Sequence, residues 1–261
     1  MSTGIIQKFT FKSHQISYRK FGTGASVLLA FHGFGQNSQV FAPLETWQNS
    51  HFTIFAIDLF FHGESHYQGN ELLRKSDWHH LLTAFLAEHR INRFSLAGFS
   101  LGGRFALATV EAFAGQVDQL ILIAPDGITR SFWYQLATGS VAGRRLFRYA
   151  LRHLSLLNGL GHALTRLGLL NRTVMRFAEI SLGTIEQREL VYQSWTQFRL
   201  IQANIRLVSR LLNEHPIQIR FFIGAFDRIV PGSYILPLTN RLANYQLNNL
   251  PTGHNHLIEL L

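Results

Sequence analysis

Short apolar runs alternate with amphipathic stretches over the first half of the chain. Gln7–Lys12 and Gln15–Phe21 read as two strands separated by Ser13-His14. Ser26–Phe31, Phe52–Phe60, Arg93–Phe99 and Gln119–Ala124 are apolar runs of the kind that form strands buried on both faces. Ser76–His89 sets Trp78, Leu81, Leu82, Phe85 and Leu86 on one side of a helix, and Leu101–Phe113 predicts another. Strand and helix in alternation predict an α/β domain: a mostly parallel sheet flanked by helices.

The pattern changes near residue 128. From there to 214 no clear strand is present, and Asn158-Gly159 and the Asn171 region read as breaks between helices. Trp195, Phe198, Ile201 or Gln202, Ile205, Val208 and Leu212 keep helical spacing in one long final helix, on which Arg199, Arg206 and Arg210 form a second stripe. Arg145, Arg148 and Arg152 form a similar stripe on an earlier helix. Strands resume at Ile217–Ile223 and Tyr245–Leu250. The expected organisation is a core domain from residues 1–127 and 215–261, interrupted by an all-helical insertion over 128–214.

Composition places the chain among globular proteins. It has 261 residues, 47% hydrophobic and 15% charged, with 22 Phe, enough to bury a sizeable core. It has no cysteine, which excludes disulfides and thiolate chemistry and suits a reducing compartment. The first residues lack a signal-peptide pattern, and no apolar run approaches the roughly 18 residues of a membrane span. The expectation is a soluble, cytoplasmic protein. The net charge of +9 is uneven: residues 128–216 hold twelve Arg and no Lys against four Glu and no Asp, a balance of +8. No nucleic-acid motif accompanies this charge, so nucleic acid is not an expected partner. A solvated helical face, an anionic substrate and peripheral contact with an anionic membrane all remain open.

The chemistry centres on Gly98-Phe99-Ser100-Leu101-Gly102, between a predicted strand and a predicted helix. A Gly-x-Ser-x-Gly run in that context is a nucleophile elbow: the turn is sharp, and side chains at 98 or 102 would collide with their neighbours. Such a serine needs a base, because its hydroxyl is a poor nucleophile at neutral pH. Imidazole, titrating near 6.5, suits that task, and a carboxylate on the other ring nitrogen fixes its tautomer.

With these residues the chain resembles the α/β-hydrolase superfamily over nearly its whole length. The resemblance implies an α/β-hydrolase fold with a helical lid over the serine. Ser100 matches the nucleophile. Asp227, in Gly224-Ala225-Phe226-Asp227, matches the acid after the seventh strand, and His254, in Gly253-His254-Asn255-His256, the base after the last. Some members carry the acid after the sixth strand, where Asp126 is the rival; His256 competes with His254. The oxyanion-hole positions correspond to the backbone N–H groups of Leu101 and, through His32-Gly33-Phe34-Gly35, of Phe34. His32 itself reads as a structural or loop residue. Asp58-Leu59-Phe60-Phe61-His62-Gly63-Glu64-Ser65 is similar to the family's Asp-x-x-Gly-x-Gly-x-Ser segment, but has Phe61 and His62 where small residues are usual.

Phe34, Phe99, Phe132, Trp133 and Tyr134 suggest an apolar acyl pocket, or core packing, and an ester of a small or medium acyl group as the small-molecule substrate. Ser100-Leu101-Gly102-Gly103-Arg104 is also similar to the elbow of the pyruvate-eliminating synthase of the menaquinone pathway, where the arginine contacts a substrate carboxylate. That keeps Arg104 as a substrate-binding candidate and an anionic substrate as an alternative, together with a carbon–carbon bond hydrolase and a non-enzymatic binding protein. No cofactor is implied, since phosphate-binding and dinucleotide fingerprints are missing. His254 and His256 lack the carboxylates or cysteines of a metal site.

Overall fold

A computed structural model describes residues 4–49, 51–69, 71–129, 131–154, 165–166 and 172–261. They form two compact units: residues 1–129 with 200–261, and residues 130–199.

The first unit is an eight-stranded sheet in the order β1-β2-β4-β3-β5-β6-β7-β8. Its strands are β1 (Ile6–Phe11), β2 (His14–Phe21), β3 (Ser26–Phe31), β4 (Phe52–Ile57), β5 (Phe94–Phe99), β6 (Val117–Ile123), β7 (Gln218–Gly224) and β8 (Gln246–Leu250). β1 and β2 pair antiparallel, β2 meets β4 antiparallel, and every later pair is parallel. The central strand β5 is buried at all six positions, as its largely apolar sequence predicts.

Successive side chains leave opposite faces of each strand, so the sheet has two cores. On one side, Leu28, Ala30, Ala97, Phe99 and Ile123 pack with Val230, Leu257 and Ile258 from the C-terminal segments. On the other, Phe31 meets Trp78 of α1 (Lys75–Glu88) edge to face at 5.4 Å. The Trp78 indole N–H donates to Thr109 Oγ1 of α2 (Leu101–Phe113) at 3.0 Å, which satisfies the one polar group that a buried tryptophan carries.

The second unit, among its described residues, consists of α3 (Phe132–Thr138), α4 (Val141–Arg152), α5 (Arg172–Leu182) and α6 (Ile185–Gln197). Ser131, Ser140 and Thr184 cap α3, α4 and α6 by accepting backbone N–H bonds. The breaks expected at Asn158-Gly159 and Asn171 lie outside the described residues.

The long final helix expected over Trp195–Leu212 is two helices. α6 ends at Gln197, and α7 runs over Ile205–Glu214 within the first unit. The cause is tertiary. The Glu111 carboxylate of α2 accepts from the Asn204 N–H, and the Asn204 side chain accepts from Leu207 N at 3.2 Å, starting a new helix there. Arg206 and Arg210 therefore share α7, while Arg199 stands apart and donates to the Thr196 carbonyl at 2.6 Å. The Arg145, Arg148 and Arg152 stripe lies on α4, as the spacing predicts.

Candidate active site

Four strand ends supply the site. β5 delivers Ser100, β6 leads to Asp126, β7 to Asp227 and β8 to His254. Ser100 has φ +49° and ψ −116°, a strained conformation for a residue with a side chain. Two bonds to the β6 exit hold it there: Ser100 N–H donates to the Ile123 carbonyl (2.9 Å), and Asp126 N–H donates to the Ser100 carbonyl (2.8 Å). The flanking glycines are required by space. A Cβ on Gly102 would lie 1.8 Å from the Phe31 carbonyl oxygen, and one on Gly98 would lie 2.7 Å from the Gly102 carbonyl oxygen.

The Ser100 Oγ and His254 Nε2 are 3.0 Å apart, and His254 Nδ1 is 2.6 Å from Asp227 Oδ2. The other Asp227 oxygen accepts from Ile229 N (2.8 Å) and Val230 N (2.9 Å), which locks the carboxylate plane. Asp227 and His254 are both buried. Because the carboxylate is acceptor-only, Nδ1 carries the proton and Nε2 is left free to accept from the serine hydroxyl. Phe99 lies against the His254 ring at 5.0 Å and is fully within the core, so in this structure it supports the histidine.

Asp126 takes a different partner. Its carboxylate accepts from the Arg104 Nη2 and from the Gly127 N–H (2.7 Å). Arg104 is buried, so Asp126 supplies the counter-charge its guanidinium needs. His256 is exposed and pairs with Glu259 at 3.0 Å.

Of the two backbone positions expected to form an oxyanion hole, Leu101 begins α2, where first-turn N–H groups have no intrahelical acceptor. Phe34 is the second residue of a turn closed by Gln36 N–H to the Gly33 carbonyl (3.3 Å), with Gly35 at φ +72°. In such a turn the second residue's N–H is not consumed by the turn itself. The turn is anchored from behind: Leu59 N–H donates to His32 Nε2 (2.9 Å), so the proton sits on His32 Nδ1, which donates to the Gly33 carbonyl (2.7 Å). His32 is thus a strut between two loops.

Two features were not visible in the sequence. His62 lies under the Phe34 ring (5.7 Å, near perpendicular) and faces His32 at 5.1 Å. Its Nδ1 donates to the Phe60 carbonyl (3.0 Å), and its Nε2 is buried with no hydrogen-bond partner among the described residues. Burial pushes His32 down to about 4, and burial with the His32 neighbour pushes His62 down to about 3. The second feature is the purpose of the Asp58–Ser65 segment. Asp58 accepts from Ser17 Oγ (2.6 Å) and Ser38 N (2.5 Å), and Ser65 Oγ donates to the Asp58 carbonyl (2.7 Å). That acidic residue holds the fold together and is not part of the reacting group.

Of the aromatic candidates in the helical unit, Tyr134 is buried and donates to the Trp195 carbonyl at 2.9 Å, Phe132 is exposed, and the Trp133 side chain lies outside the described residues. Among the described residues no group of three or more His, Cys, Asp or Glu could hold a metal ion. None of the described helices is long and apolar enough to cross a membrane.

An eight-stranded, mostly parallel sheet with a serine on a strained strand-to-helix turn defines the α/β-hydrolase architecture. The chain belongs to the alpha/beta hydrolase fold family, whose model matches residues 26–259. Among solved structures it is similar to a membrane phospholipase A described as a bacterial virulence factor (TM-score 0.69, 18% identity, covering 98% of this chain and 82% of that one). It is also similar to a hydrolase from Pseudomonas aeruginosa PA01 (0.68, 17%, 99% and 94%). A third is 2-hydroxy-6-oxo-6-phenylhexa-2,4-dienoate hydrolase from Rhodococcus sp. strain RHA1 (0.65, 21%, 98% and 94%). At these identities the likeness concerns the fold. In sequence it matches an uncharacterized protein of Mycobacterium tuberculosis at 30% identity over 125 residues, 48% of this chain. That match spans 36% of the relative's length.

Proposed function

We propose that the protein is a serine hydrolase acting on a carboxylic ester of a small or medium apolar acyl group through an acyl-enzyme. The observation that carries this reading is the unbroken chain Ser100 Oγ–His254 Nε2 and His254 Nδ1–Asp227 Oδ2, at 3.0 and 2.6 Å. His254 accepts the Ser100 proton as Oγ attacks the ester carbonyl carbon. Asp227 stabilises the imidazolium that forms. The Leu101 and Phe34 N–H groups receive the oxyanion, each worth on the order of 3 kcal/mol in the barrier. Collapse expels the alcohol, which takes the proton from His254. Water then attacks the acyl-enzyme by the same route and releases the acid.

The anionic-substrate alternative needs Arg104 to receive a substrate carboxylate. In this structure that guanidinium already holds Asp126, which favours the ester reading. The test is hydrolysis of a p-nitrophenyl ester series from acetate to palmitate by wild type and Ser100→Ala. Activity peaking at short or medium chains and lost in the variant is expected. Turnover that persists in Ser100→Ala, or a folded wild type inert on every ester, overturns the proposal.

A further inference from the structure

Helix α4 exposes a surface that the hydrolytic chemistry does not use. Its inward side is well seated: Leu151 is buried, and Phe147 stacks on Trp195 of α6 at 5.2 Å. Its outward side carries two neighbouring rows. One holds Val141, Arg145, Arg148 and Arg152 at helical spacing; the other holds Leu146 and Tyr149. Leu146 is 67% exposed, Tyr149 59% and Val141 58%. Arg145 and Arg152 are exposed as well, and Arg148 lies over the Tyr192 ring at 5.0 Å.

Single exposed apolar residues are ordinary, but three on one helix beside a row of arginines are not. The surrounding unit is strongly basic: its described residues hold nine Arg and no Lys against three Glu and no Asp. The same composition recurs on α5, where Arg172, Arg176 and Ile180 are exposed at intervals of four.

We infer that the outward face of α4 is a docking surface for a bilayer rich in anionic lipid. Arginines beside bulky apolar side chains match the boundary between anionic headgroups and acyl chains, where the guanidinium stays with phosphate and the leucine enters the apolar layer. Nucleic acid would use the arginines and leave Val141, Leu146 and Tyr149 without a role. The proposal does not depend on the reaction at Ser100.

The test is sedimentation of the full-length protein with phosphatidylcholine vesicles, with and without phosphatidylglycerol. Binding to the anionic vesicles only, weakened at about 0.5 M salt, is expected. Arg145→Ala with Arg152→Ala should lower the partition coefficient roughly 30-fold, at about 1 kcal/mol per arginine. Leu146→Ser should lower it too, while Ser100→Ala binds as wild type. Hydrolysis of a soluble short-chain ester should be unchanged in the arginine and leucine variants. No binding to phosphatidylglycerol vesicles overturns the inference, as does equal binding by the double arginine variant. Binding to duplex DNA with none to vesicles also overturns it.

Discussion

The imidazoles of His32 and His62 face each other at 5.1 Å, both buried behind the turn that carries Phe34. Burial disfavours a charge on either ring, and for His62 the His32 neighbour adds to it, so both are pushed well below the ordinary 6.5, to about 4 and about 3.

This pair makes stability depend on pH in a defined direction. In the unfolded chain each ring takes a proton near 6.5; in the folded protein it does so only near 4 or 3. Between those values the unfolded state binds more protons. Stability is therefore complete above about pH 6.5 and declines as pH falls toward 3. At about 1.4 kcal/mol per unit, a few kcal/mol is at stake for each ring. Guanidinium unfolding at pH 7 and pH 4.5 should show a smaller loss for His62→Phe than for wild type. Equal losses would remove His62 from the account.

Asp227 and Asp126 should respond oppositely to the same substitution. Asp227→Asn leaves the fold intact but lets the amide favour the wrong histidine tautomer, so kcat should fall about 10⁴-fold. Asp126→Asn strips the counter-charge from buried Arg104 and should cost on the order of 3 kcal/mol of stability, with kcat changed far less. Thermal unfolding and ester kinetics on both variants check this; a catalytic collapse in Asp126→Asn alone would reverse the assignment.

Backbone strain at Ser100 predicts a stability gain on losing the hydroxyl in one way but not another. Glycine relaxes φ +49°, while alanine keeps the penalty. Ser100→Gly should be more stable than Ser100→Ala by about 1 kcal/mol, both being inactive. Differential scanning calorimetry reads the difference, and equal midpoints would show that the turn carries no strain.

The elbow glycines should rank in severity. At Gly102 the clash is with backbone of the neighbouring strand at 1.8 Å, which has nowhere to go. At Gly98 the nearest contacts lie between 2.7 and 2.9 Å, and one of them is the Ala106 side chain. Gly102→Ala should cost about 4 kcal/mol or more and yield little folded protein, with Gly98→Ala milder. Soluble yield and urea midpoints test the order.

Local chemistry along the chain was enough to place most elements and the elbow. Apolar runs such as Phe94–Phe99 must be buried on both faces, and a serine between two glycines after such a run has few other uses. The sequence favoured Asp227 as the acid and kept Asp126 as a rival, because each follows a strand and precedes a loop. Tertiary structure chose: β7 lies beside β8, so its exit reaches His254, whereas β6 is one strand further away and its aspartate meets Arg104 on α2. The same holds for the break at Asn204 and the His32–His62 pair. Each depends on a partner distant in the chain, Glu111 for one and a second loop for the other, and periodicity carries no information about which distant groups a folded sheet brings together.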